Sequence, residues 1–124
     1  PDLASFHYSL GNAYKKLKRY DEALSEYKLT LKYDPKHVDS MNNRGVIYLT
    51  LNLNKLAEKE FESVLNLAKD HPSALNNLAG IRFSQGHYRK ALILLDRYLL
   101  IKPNDTHVQE ARRAIHLILD HEVP

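Results

Sequence analysis

The stretch LGNAYKKLKRYDEALSEYKLTLKYDP, Leu10 to Pro35, is copied twice more along the chain. Its landmarks Leu10, Gly11, Tyr14, Tyr20, Ala23, Tyr27 and Pro35 step by 34 residues onto Arg44, Gly45, Tyr48, Asn54, Ala57, Phe61 and Lys69. A second such step reaches Leu78, Ala79, Arg82, Tyr88, Ala91, Leu95 and Pro103. Small residues fall on small ones and bulky residues mostly on bulky ones. A fixed period between about 20 and 50 residues marks a protein of stacked units, none of which can bury its apolar face alone.

Within each unit the spacing is helical. Asp2 suits the cap of a first helix in which Leu3, Phe6, Leu10, Ala13, Tyr14 and Leu17 recur at three- and four-residue intervals. Lys18 and Arg19 fill a tight turn, and a second helix starts near Tyr20 with Asp21 and Glu22 at the positive end of its dipole. Ala23, Leu24, Tyr27 and Leu31 form its stripe; Asp34 followed by Pro35 ends it, because proline disfavours helical backbone in the residue before it. The second unit repeats the pattern around Asn52 and Asn54, and the third, opening at Pro72, turns at Gln85, Gly86 and His87. Thr106 and Gln109 are placed for a capping box that opens a last helix, with Val108, Ala111, Ile115, Ile118 and Leu119 as its stripe.

At this period the landmarks resemble the tetratricopeptide repeat, a helix-turn-helix unit. With a unit opening at Ala4, the family's two small residues are Gly11 and Ala23, its tyrosine is Tyr14, its bulky residue is Tyr27 and its closing proline is Pro35. Departures are few: His7, Met41 and Leu75 stand where the family prefers Trp, Arg44 replaces Leu, Arg82 replaces Tyr and Lys69 replaces Pro. The resemblance implies an all-α fold: a right-handed superhelical solenoid of three helix-turn-helix repeats plus a C-terminal capping helix. As one domain over 1–124, its repeats span 4–37, 38–71 and 72–105 and its capping helix 106–121. The last helix has a competing reading as the start of a fourth repeat. Arg112 and Arg113, standing at that register's Leu and Gly places, favour the cap.

Composition narrows the function. At 44% hydrophobic and 27% charged residues the chain is an ordinary folded one. Its longest apolar run, Ala91 to Leu95, falls far short of the roughly 20 residues of a membrane helix. No secretory signal is legible, so a soluble, cytoplasmic setting is favoured; a start at Pro1 rather than Met suggests a fragment of a longer protein. The absence of cysteine excludes disulfides, thiolate metal sites and a cysteine nucleophile. A net charge of +3, from 18 basic against 15 acidic residues, is too mild to point to nucleic acid.

By the family pattern, first helices line the concave side of such a solenoid. The resemblance thus puts Tyr8, Asn12, Lys15, Lys16, Asn42, Asn43, Val46, Asn76, Asn77 and Phe83 among its groove residues. Asn carries both donors and an acceptor, and a ladder of Asn12, Asn43 and Asn77 would bond the backbone of an extended peptide. The plainer alternative leaves these amides in water. A subset of the family grips the C-terminal Glu-Glu-Val-Asp of heat-shock chaperones with a two-carboxylate clamp; Asn12 and Asn43 match it, but Tyr8, Ser73 and Asn77 stand at its three basic places, which argues against that ligand. Lys15, Lys16, Lys18 and Arg19 cluster where an acidic partner or plain solvent accounts for them. The seven histidines lack ligand spacing and read as surface residues, so no metal or cofactor is expected. No phosphate loop, nucleophile elbow or catalytic carboxylate pair occurs, so the chain is not expected to be an enzyme. The expectation is a non-catalytic scaffold that binds a peptide or partner helix in the concave groove and supports complex assembly. The alternatives are a self-associating homo-oligomer module and an RNA-binding helical repeat.

Overall fold

The computed structural model describes residues 2–121. They form seven helices and, among the described residues, no strand. A first compact unit, ending at Leu67, holds α1 (Leu3–Lys16), α2 (Tyr20–Tyr33), α3 (Val38–Thr50) and α4 (Asn54–Leu67). A second, beginning at Ala68, holds α5 (Pro72–Ser84), α6 (Tyr88–Ile101) and α7 (Thr106–His121). The architecture is an all-α helical repeat of three hairpins and a seventh helix.

The period is visible in backbone hydrogen bonds. Lys18, Asn52 and Gly86, each 34 residues from the next, have φ of 60°, 60° and 77°. At each, the N–H of the left-handed residue bonds three residues back, to Lys15, Leu49 or Phe83. The N–H of the following residue bonds five back: Arg19 to Tyr14 at 2.9 Å, Leu53 to Tyr48 at 2.8 Å and His87 to Arg82 at 2.9 Å. Such paired bonds satisfy the last carbonyls of a helix and reverse the chain. All three hairpins therefore turn through the same motif.

Side-chain volume is matched across each hairpin. A Cβ on Gly11 would lie 2.6 Å from Tyr27 Cε1, and one on Gly45 would lie 2.6 Å from Phe61 Cε1. Both aromatic residues are fully buried against the bare helix backbone. In the third hairpin Ala79 and Leu95, both buried, take these places, so a larger small residue accompanies a smaller bulky one. Ala23, Tyr27 and Ile47 join the first hairpin to α3. In the second unit, Ala74, Leu75, Leu78, Ile81, Ala91, Tyr98, Val108 and Ile115 complete the core.

In α1 the buried residues are Ala4 and Gly11, the latter against the ring of Tyr27, while Leu3, Phe6, Ala13 and Leu17 are exposed. Two sequence expectations are corrected. The start of α7 is capped by Asp105, whose Oδ1 accepts the Val108 N–H at 3.2 Å, and Gln109 instead donates Nε2–H to the Pro103 carbonyl. His37 and His71 are not plain surface residues. Each caps a helix through Nδ1, accepting the N–H of Ser40 or Ala74 at 3.2 Å.

Candidate functional site

On α1, Tyr8, Asn12, Lys15 and Lys16 stand at the spacing of one helical face, and on α3 Asn42 and Val46 are one turn apart. The two helices are joined where Asn43 Nδ2 donates to Asn12 Oδ1 at 2.9 Å. That oxygen also receives the hydroxyl of Tyr27 at 2.6 Å. Asn43 Nδ2 further lies 3.4 Å from the Tyr27 oxygen and 3.5 Å from the Tyr8 oxygen. The cause is local: Gly11 lets the Tyr27 ring lie on the α1 backbone, and the hydroxyl then emerges beside Asn12.

Burial raises the Tyr27 hydroxyl to a pKa of about 12, so it stays a donor throughout the neutral range. Tyr8 packs its ring 4.6 Å from that of His37, the cap of α3. Asn42 is only 6% exposed and gives this face little surface. Lys15 is half-buried and Lys16 exposed at the end of α1.

The second unit offers a different surface. A cavity of about 260 Å³ is lined by Asn76, Ala79, Gly80 and Phe83 of α5, Leu95 of α6, and Ala111, Ala114 and Ile115 of α7. Its lining is almost wholly apolar. Phe83 is 42% exposed, with its ring 5.3 Å from that of Tyr88. Asn77 Nδ2 turns along its own helix to Ser73 Oγ at 3.3 Å. α7 is held to α6 by the Tyr98 hydroxyl, which donates to Asp105 Oδ2 at 2.5 Å, and by Arg112 Nε bonding Asp96 Oδ1 at 2.5 Å.

The structure thus brings Tyr8, Asn12 and Asn43 into one polar cluster and puts Asn76 and Phe83 on one cavity. Sequence reasoning missed Tyr27, which it assigned to packing alone. Its signal lay in the period: Asn12, Val46 and Gly80 are equivalent, and their partners across the hairpins are Tyr27, Phe61 and Leu95. A hydroxyl faces an amide, a phenyl ring goes with an apolar residue, and Leu goes with an open place.

Among the described residues no group of three or more His, Asp or Glu side chains could hold a metal ion, and no helix is long and apolar enough to cross a membrane.

Comparison with known proteins identifies the repeat. Two tetratricopeptide repeat models match the chain, over residues 4–37 and 52–115. Human sperm-associated antigen 1 is 31% identical over 94 residues; that match covers 76% of this chain, which spans only 10% of the length of that relative. The first tetratricopeptide domain of Spaghetti (RPAP3), solved with the HSP90 peptide SRMEEVD, is 26% identical with a TM-score of 0.85, over 94% of this chain and 93% of that one. The first such domain of human RPAP3 is also 26% identical, with a TM-score of 0.83 over 98% and 95% of the two chains. The OM64 domain of Arabidopsis, 19% identical with a TM-score of 0.83 over 94% and 98%, shares the fold. With one repeat model covering more than half of its residues, the chain belongs to the tetratricopeptide repeat family and is a protein–protein interaction scaffold.

Proposed function

We propose that the face formed by α1 and α3 seats an extended peptide, with Tyr8, Asn12, Lys15, Lys16, Asn43 and Val46 as its contacts and Asn42 as buried support. The observation that carries this reading is the hydrogen-bonded group of Asn12, Asn43, Tyr27 and Tyr8, whose amides are held in fixed orientation before any partner arrives. In the second unit, Asn76, Asn77 and Phe83 form a separate contact surface, where the apolar cavity accepts an aliphatic or aromatic side chain of the partner. The repeats divide at 4–37, 38–71 and 72–105, with 106–121 as cap. The chain itself is non-catalytic, acts in a soluble, cytoplasmic setting, and takes no nucleic acid.

The HSP90 peptide of the Spaghetti domain is not the favoured ligand. Tyr8, Ser73 and Asn77 bring no positive charge to offset the desolvation of a carboxylate pair. The test is calorimetry with linear 12-residue peptides selected from a displayed library, alongside SRMEEVD. Asn43→Ala is expected to weaken the selected peptides by about 1–2 kcal/mol, the value of a buried amide bond. Unchanged affinity, or tighter binding of SRMEEVD than of any selected peptide, refutes the seat.

A second reading, self-association, is favoured by one feature. Ile93 and Leu100, two turns apart on α6, are 61% and 85% exposed. Light scattering at rising concentration separates a dimer through this face from a monomeric peptide binder.

A further inference from the structure

Among the three second helices, α6 differs on the side it turns outward. Its buried residues Ala91, Leu95 and Tyr98 lie on one side, and Ile93, Asp96, Arg97 and Leu100 recur at three- and four-residue steps on the other. Ile93 is 61% and Leu100 85% exposed, two turns or about 10 Å apart along the helix. The 34-residue step carries these four places onto Lys59, Glu62, Ser63 and Asn66 of α4, and onto Ser25, Lys28, Leu29 and Lys32 of α2. The repeat therefore does not require large apolar residues there. Two exposed apolar side chains that bracket a pair of opposite charges belong to α6 and to neither of its counterparts.

The stripe is its own complement. When two copies of α6 lie antiparallel about a twofold axis between positions 96 and 97, Ile93 of one copy meets Leu100 of the other and Asp96 meets Arg97. Each contact then occurs twice, which is the self-complementarity an isologous interface demands. A parallel pair would set Asp96 on Asp96 and Arg97 on Arg97, an arrangement that like charges oppose. Arg112 of α7 bonds Asp96 Oδ1 at 2.5 Å, and the carboxylate has a second oxygen with which to accept a guanidinium from another copy.

We propose that a second copy of this chain docks on the outer side of α6, in an antiparallel helix pair that buries Ile93 against Leu100 and joins Asp96 to Arg97 across a twofold axis. This rests on the self-association reading of that face and adds the partner's orientation and the residues that set it. None of the four residues belongs to the peptide seat on α1 and α3. One helix from each copy makes a small contact, so the dimer is weak, with an expected dissociation constant of about 10 μM to 1 mM.

Sedimentation equilibrium across that concentration range tests it, with circular dichroism as the control for fold. Ile93→Ser combined with Leu100→Ser, both at exposed places, should weaken the dimer by about tenfold or more at constant helix content. Asp96→Arg and Arg97→Asp each set like charges face to face twice, and each should weaken it by about tenfold or more. An equimolar mixture of these two variants should recover the dimer as a mixed species, because each chain then supplies the charges the other lacks; a fluorophore on one variant identifies it. A wild-type chain that stays monomeric at about 1 mM, or a dimer that survives the double serine variant, refutes the interface and the self-association reading together. A dimer lost in the serine variant, with a charge-variant mixture that remains monomeric, overturns the antiparallel arrangement and leaves self-association through α6 standing.

Discussion

Replacing Gly45 with Ala tests the volume matching that sets each hairpin. The new Cβ would lie 2.6 Å from Phe61 Cε1 and 2.7 Å from Cζ, where carbon atoms in contact sit about 3.5–4.0 Å apart. Phe61 is fully buried, so its ring has no free space into which to withdraw by the roughly 1 Å required. Overpacking of this kind costs about 1–3 kcal/mol, against a gain of about 1 kcal/mol from exchanging Gly for Ala in a helix. The expected net loss is about 0–2 kcal/mol. Gly80 supplies the control: it is helical, and a Cβ there meets nothing within 4 Å. Gly80→Ala should therefore raise stability by about 0.5–1 kcal/mol. The third hairpin also predicts the repair, since it combines Ala79 with Leu95. Phe61→Leu in the Gly45→Ala background should recover most of the loss, with favourable coupling of about 1 kcal/mol or more between the two sites. Urea melts followed by far-UV circular dichroism read wild type, Gly45→Ala, Gly80→Ala, Phe61→Leu and the double variant. A Gly45→Ala chain as stable as Gly80→Ala, or a double variant no better than the sum of its parts, refutes the reasoning.

Three further outcomes follow from other features. Lys18 adopts φ of 60° without being glycine, so Lys18→Gly should stabilise the chain by about 0.5–1 kcal/mol in thermal melts, while Gly86→Ala at φ of 77° should destabilise it by about 1 kcal/mol. Arg44 Nη2 pairs with Glu60 Oε1 at 2.7 Å with side chains 23% and 14% exposed; Arg44→Leu alone leaves that carboxylate uncompensated and should cost about 2 kcal/mol, whereas Arg44→Leu with Glu60→Leu, which copies Leu78 and Leu94, should be near neutral in urea melts. The Tyr98 hydroxyl, and after it the Val108 N–H, hold Asp105 below its usual pKa. A lowered folded-state pKa gives stability that is present above the unfolded value of about 4 and lost as pH falls through the folded one, so acid melts of wild type should lose a component that Asp105→Asn lacks.

The 34-residue step and the helical hairpins were legible because each rests on side-chain volume recurring at fixed distances. Gly11, Gly45, Tyr27 and Phe61 stood out as landmarks of that step, whereas the contact of each glycine with the aromatic ring of its own hairpin depends on how the two helices cross. Which residues of α1 are buried was less legible: Leu3, Phe6 and Leu17 carry its apolar spacing, while the buried ones are Ala4 and Gly11. The caps were misread for a separate reason. Imidazole is rarely expected at a helix start, although His37 and His71 occupy equivalent places one residue before α3 and α5. Their shared offset from the hairpins was the available signal. In the candidate site, Asn12 and Asn43 were visible as amides, but their mutual bond and the Tyr27 hydroxyl between them depend on how two helices and a ring meet in space. Only comparison of position 12 with 46 and 80, alongside 27 with 61 and 95, carries a trace of it.

The most direct test of the peptide seat is a titration of the isotopically labelled chain with a library-selected linear peptide, followed by NMR. The account predicts that the largest shifts fall on the backbone of α1 and α3 and on the side-chain amides of Asn12 and Asn43, in fast or intermediate exchange and at constant helix content. Shifts centred instead on Ile93 and Leu100 of α6, with the Asn12 and Asn43 amides unmoved, would contradict it.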